Sequence, residues 1–77
     1  MMNYYAREYL RLYRDFRLFS DNNYSLVSVS KNIGIILGSL RYDDSLDYNV
    51  NKRIFYKFYH LYDLVAEQVF YNTVHNN

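Results

Sequence analysis

The sequence contains no cysteine, no proline and only two glycines. The lack of cysteine excludes disulfide bonds and thiolate metal sites. The lack of proline, together with so little glycine, excludes a loop-rich scaffold or a proline-rich linker. His60 and His75 are the only imidazoles, and their separation matches no known metal-ligand spacing. We therefore expect no metal site and no other cofactor.

An excess of charge of either sign is also missing, because nine Lys and Arg stand against eight Asp and Glu, for a formal net charge of +1. Such a balance creates no overall field toward nucleic acid or anionic lipid. Uncharged runs such as residues 32–40 are far too short to cross a bilayer. Residues 1–17 alternate charged and apolar side chains, unlike a signal peptide. These features predict a cytoplasmic protein without a membrane partner.

Aromatic side chains are the feature present in excess, with 11 Tyr and 5 Phe among 77 residues. The chain is short for a domain, so we expect one domain over residues 1–77, ending in a frayed tail at 72–77. A single core of this size rarely supplies more than roughly 3–5 kcal/mol. Since disulfides and metals are excluded, the stability must come from packing of large side chains or from association with another chain.

Residues 3–19 predict an amphipathic helix. Six apolar side chains share one arc of the helical wheel and form the expected core stripe: Tyr5, Tyr9, Leu12, Tyr13, Phe16 and Phe19. The polar residues 20–23 that follow are typical of a turn and a helix cap.

Residues 25–41 allow two interpretations. Apolar side chains recur at helical spacing over four turns, at Leu26, Val29, Ile33, Leu37 and Leu40. A β-hairpin with strands at 25–30 and 33–37 is the alternative, because Val-Ser-Val-Ser is strand-like and each glycine costs about 1 kcal/mol in a helix. We favour the helix. It would carry a seam of small residues (Ser30, Gly34 and Gly38), which we expect to pack within the chain rather than between two chains.

Residues 42–48 form an acidic connector that carries Asp43, Asp44 and Asp47. We expect these carboxylates to neutralise Lys52 and Arg53 at the start of the next helix, although they are also a candidate acidic binding patch that mimics nucleic acid. Asp47 or Asn49 is a candidate cap for that helix. The Leu-Gly pair at 37–38 superficially resembles the turn of a helix-turn-helix, but its recognition helix would be acidic and would repel phosphates.

Residues 50–72 predict a long helix with two neighbouring apolar stripes. The first stripe comprises Ile54, Phe58, Leu61, Val65 and Val69, and the second comprises Phe55, Tyr59, Tyr62, Ala66 and Phe70. Such a wide apolar arc is typical of a helix that contacts two others, or of a helix that a partner also covers. On its polar side, His60, Asp63 and Glu67 have a spacing that any solvated helix face can show, so they do not predict a metal site.

The outer face of the first helix is the main candidate for partner binding. Tyr4, Arg7, Arg11, Arg14 and Leu18 share the arc opposite the core stripe. Arginine and tyrosine are enriched in binding hot spots, and arginine pairs well with carboxylates and phosphates. The alternative is a solvated face on which Arg11 pairs with Glu8 and Asp15.

We therefore predict an all-α fold, a small three-helix bundle with an aromatic core; helix–β-hairpin–helix is the α+β alternative. No catalytic motif is present, and we expect a non-catalytic protein–protein interaction module, with homo-oligomerisation as a further possibility. The frequency of residues with AT-rich codons suggests a small inhibitor or adaptor from a phage, virus or mobile element that occludes a surface of a larger protein. The alternative is a small dimeric nucleic-acid-binding regulator that uses the arginine face of the first helix.

Overall fold

The computed structural model describes residues 3–75, which form three helices and contain no strand: α1 (Tyr4–Leu18), α2 (Asn23–Arg41) and α3 (Tyr48–His75). The all-α prediction is confirmed, and the β-hairpin alternative is wrong. Consecutive helices run antiparallel, so α1 and α3 run in the same direction. The contact between α2 and α3 is the most extensive of the three.

Asparagine and aspartate side chains fix where the helices begin. Asn3 Oδ1 accepts a hydrogen bond from the Ala6 amide at 2.8 Å, and Asn22 Oδ1 accepts one from the Ser25 amide at 3.2 Å. Asp47 Oδ2 accepts the Asn49 amide at 3.1 Å, as expected of a cap. Each bond satisfies an amide that has no partner within its own helix.

The core lies where the three helices meet. Its fully buried apolar side chains are Leu12, Leu26, Val29, Ile33, Ile36, Leu40, Phe58, Leu61 and Val65. Every helix contributes, and α2 contributes most, which explains why α2 persists despite two helix-destabilising glycines. The first stripe of α3 is confirmed as its core side. Within α2, Ile36 is buried and the predicted Leu37 only partly so.

The structure leaves no turn within α2 and extends α3 beyond its predicted end. α2 continues through Leu37 and Gly38 to Arg41, so no helix-turn-helix turn forms there. α3 continues to His75, and Asn72 is buried, donating to the Ser20 carbonyl at 2.7 Å. This bond holds the end of α3 against the α1–α2 turn, so residues 72–75 are helical rather than a frayed tail. Residues 76–77 lie outside the described part of the chain.

Candidate interaction surfaces

The structure brings the five candidate residues of α1 together on one exposed side of the helix. Tyr4, Arg7, Arg11, Arg14 and Leu18 are all exposed, and they follow one another at spacings of three or four residues. Leu12, on the opposite side of α1, is fully buried. We call these five residues the basic face.

Arg11 is held by two carboxylates of its own helix. Its guanidinium lies 2.9 Å from Glu8 Oε1 and 3.5 Å from Asp15 Oδ2, so the expected pairing is confirmed. The bond to Arg11 lowers the pKa of Glu8 and raises that of Arg11. The guanidinium of Arg14 is 3.8 Å from Asp15 Oδ1, a longer contact than those of Arg11. Among residues 3–75, no carboxylate lies within 4.0 Å of the Arg7 guanidinium. Within the basic face, Arg7 and Arg14 are therefore the arginines most available to a partner.

Leu10 extends the basic face and was missed by the sequence reasoning. It lies between Arg7 and Arg14 at helical spacing and is more than half exposed, as Leu18 also is. The signal was present in the sequence, because Leu10 falls outside the core arc of the helical wheel. Two exposed leucines among arginines give the basic face both apolar and cationic contacts.

The acidic connector is mainly structural. Asp43 Oδ2 accepts a 2.7 Å hydrogen bond from the Tyr5 hydroxyl, and its other oxygen accepts the amide and the hydroxyl of Ser45. The bonds from Ser45, followed by the bond from Tyr5, lower the pKa of Asp43. The hydrogen bond to Asp43 in turn raises the pKa of Tyr5 to about 12. Within residues 3–75, no Asp of the connector pairs with Lys52 or Arg53, which corrects the expected neutralisation.

A groove of about 660 Å³ lies beside the connector. Its walls come from the end of α2, the connector and the first turns of α3, and they include Arg41, Asp44, Lys52, Phe55 and Tyr56. The mixed charges of Arg41, Asp44 and Lys52 leave the groove without a dominant sign. Asp44 is thus the connector carboxylate that remains open to a partner.

The second apolar stripe of α3 lies largely outside the core. Tyr59, Tyr62, Ala66 and Phe70 are exposed, although Phe55 packs against the core and stacks on Tyr59 with ring centroids 6.3 Å apart. This stripe is left exposed because α1 covers the other side of α3. On that side, the rings of Tyr9 and Phe58 pack edge to face with their centroids 5.6 Å apart. Lys57 Nζ lies 4.6 Å from the centroid of the Tyr9 ring.

The glycines of α2 face open space rather than a helix of the same chain. Gly34 and Gly38 are exposed, and an added Cβ at either position would meet no atom within 4 Å. The expectation that this seam packs inside the chain is therefore wrong. The small residues instead form a shallow trough on the outside of α2.

The small-residue trough of α2 and the second apolar stripe of α3 lie side by side. At one end, Arg41 of α2 lines the same groove as Phe55 and Tyr56. At the other end, Asn23 of α2 donates to Thr73 Oγ1 at 3.1 Å and to the Val69 carbonyl. Between these ends, α2 and α3 each expose one continuous row of residues on the side of the bundle that faces away from α1. We call this surface the aromatic face; it comprises Val27, Gly34 and Gly38 on α2 and Tyr59, Tyr62, Ala66 and Phe70 on α3.

Two further properties concern chemistry and location. Residues 3–75 hold no group of three His, Cys, Asp or Glu side chains placed to bind a metal ion. No helix of that part of the chain is long and apolar enough to cross a membrane.

No protein-family model, curated protein or solved structure matches this chain.

Proposed function

We propose that this protein is a non-catalytic protein-interaction module whose basic face docks on an acidic surface of a larger protein. One observation carries the proposal: Tyr4, Arg7, Arg14 and Leu18 are exposed on one side of a single helix, with Leu10 among them. Arginine and tyrosine dominate binding hot spots, and exposed leucines supply the apolar contacts that surround them.

A protein fits this surface better than a nucleic acid does. Glu8 and Asp15 lie beside Arg11 and compensate its charge, so the two carboxylates would stand close to any phosphate backbone laid across the basic face. An acidic protein patch can instead pair with Arg7 and Arg14 and avoid both carboxylates. Nucleic-acid binding through the same face is the second proposal, supported by the exposed arginines and Tyr4.

Occlusion is the proposed mode of action. A helical domain of this size can cover a binding surface on a larger protein and so act as an inhibitor or an adaptor in the cytoplasm. The high frequency of residues encoded by AT-rich codons supports an origin in a phage, virus or mobile element. The larger protein would then belong to its host or to a competitor.

The experiment compares two variants that remove the same charge. R7A/R14A removes two cations from the basic face, and K52A/R53A removes two from the start of α3. After capture of partners from the native host, we expect R7A/R14A to lose a protein that both the wild type and K52A/R53A retain, with all three chains equally helical by circular dichroism. Equal capture by all three would contradict the proposal.

Binding to labelled single-stranded and duplex oligonucleotides separates the second proposal from the first. If the basic face binds nucleic acid, the affinity falls steeply as the salt concentration rises, and R7A/R14A weakens it. No change in anisotropy at low salt excludes that function.

A further inference from the structure

The aromatic face is an apolar surface that the three helices leave uncovered. Val27 is 56% exposed, Tyr59 49%, Tyr62 38% and Phe70 71%. These four side chains alone present roughly 400 Å² to solvent, since an aromatic side chain can bury about 150–250 Å². We propose that a second copy of this chain covers the aromatic face in a two-fold symmetric dimer, with α3 of each copy lying over α2 of the other.

Shape favours a second copy, because the two halves of the aromatic face are complementary to each other. The α2 half is a trough at Gly34 and Gly38, and the α3 half is a ridge of large rings. A two-fold axis parallel to the helices places each ridge over the partner's trough, as a self-complementary interface requires.

The register within one chain fixes which residues meet. Asn51 donates to the Leu40 carbonyl at 2.7 Å near one end of the α2–α3 pair, and Asn23 reaches Val69 and Thr73 at the other. Between these points, Gly34 is level with the segment that carries Tyr59 and Tyr62. An axis parallel to the helices preserves these levels, so the glycine trough of one copy receives the tyrosines of the other.

Charge supports the same arrangement. By the same register, Lys31 is level with Asp63, and both lie beside the aromatic face on exposed turns of their helices. Within residues 3–75, neither forms an ion pair inside the chain. In the dimer, Lys31 of one copy lies near Asp63 of the other. The two-fold symmetry makes two such ion pairs. An arrangement that placed α2 over α2 would bring the two Lys31 side chains toward each other instead.

The area is in the range that a dimer needs. A standard interface buries about 800 Å² on each partner. The exposed area of Val27, Tyr59, Tyr62 and Phe70 is roughly half of that value. Tyr56, Ala66, the two glycines and the Lys31–Asp63 pair lie next to them. The basic face points the other way, so the dimer leaves it open and the inference does not depend on the proposed function.

Sedimentation equilibrium over a concentration series tests the dimer. We expect the wild type to be dimeric at about 100 μM, as an interface of standard size allows. Gly34→Leu fills the trough, and we expect it to raise the dissociation constant at least roughly tenfold. Ser28→Leu places the same side chain on another exposed side of α2 and should leave the constant unchanged. A wild type that stays monomeric overturns the proposal and leaves the face to a different partner.

A charge exchange identifies the arrangement even if Gly34→Leu fails to fold. Lys31→Glu and Asp63→Lys, made singly, should each weaken the dimer about tenfold, because two opposed pairs become two repulsive ones. The double variant K31E/D63K should return the dissociation constant to within about threefold of the wild type. A dimer that both single variants leave unchanged, or that the double variant does not restore, contradicts this interface.

Discussion

The hydroxyl of Tyr5 donates a 2.7 Å hydrogen bond to Oδ2 of Asp43, which joins the first turn of α1 to the connector that follows α2. The two residues are 38 positions apart in the sequence. This bond stabilises the end of the bundle opposite to the α1–α2 turn. At the α1–α2 turn itself, Asn72 donates a hydrogen bond to the Ser20 carbonyl. Each end of α1 is therefore tied to another part of the chain by one polar side chain.

Tyr5→Phe should lower the melting temperature by a few degrees, since it removes this one partly exposed hydrogen bond and keeps the ring that packs on the core. Tyr4→Phe is the matched control, because the neighbouring Tyr4 is more exposed and its hydroxyl has no partner within residues 3–75. Thermal unfolding followed by circular dichroism measures both. Equal melting temperatures for the two variants would show that the bond contributes nothing.

The lowered pKa of Asp43 predicts a loss of stability in acid. Its carboxylate accepts bonds from Ser45 and Tyr5 that only the ionised form accepts in full, so its stabilising effect is complete above its ordinary pKa of 3.8. That effect is lost as the pH falls through the lower pKa of the folded state. Asp43→Asn should make the fall in stability between about pH 5 and pH 2 shallower in urea unfolding. Glu8, whose pKa Arg11 lowers, accounts for part of the remainder. An unchanged pH dependence in the variant would refute the role of Asp43.

Asn72→Ala should lower the free energy of unfolding by about 1–3 kcal/mol. The buried amide donates to the Ser20 carbonyl and accepts from Gln68 at 2.9 Å, so its removal leaves buried polar groups without partners. Asn49→Ala is the control, because Asn49 is exposed in the first turn of the same helix. Urea titration compares the two. A loss no larger than that of the control would mean that the Asn72 contact does not hold the end of α3.

Gly34→Ala and Gly38→Ala should each stabilise the isolated chain by about 1 kcal/mol, because alanine favours the helix and the added Cβ meets open space. The measurement is the free energy of unfolding at a concentration too low for self-association. A loss of stability in either variant would show that the trough is occupied by the chain's own side chains.

Helical periodicity was sufficient to predict the three helices and the buried stripes of α2 and α3. In the predicted α1 stripe, only Leu12 is buried, while Tyr13 and Phe19 are exposed. Leu26, Val29, Ile33, Leu40, Phe58, Leu61 and Val65 were all expected in the core and are buried there. The period sets which residues share a side of one helix, and burial follows for the side that meets both neighbours.

The exposed positions of Tyr59 and Tyr62 could not be predicted in the same way. A helical wheel shows that the apolar arc of α3 is wide, but it does not show how many neighbours are present to cover it. In this bundle α1 packs on the Phe58 flank of α3, and no helix formed by residues 3–75 covers the flank that carries Tyr59 and Tyr62. The contact of Asn72 with a turn carbonyl is equally hidden, because a polar residue near a chain end resembles a solvated one in the sequence.

The most direct test of the proposed function is the dissociation constant of the captured partner, measured by isothermal titration calorimetry against purified wild type, R7A/R14A and K52A/R53A. The basic face as the binding surface predicts that R7A/R14A weakens binding at least roughly tenfold, as expected of hot-spot arginines. It also predicts that K52A/R53A binds as the wild type does. Equal affinity of R7A/R14A and the wild type would contradict the account.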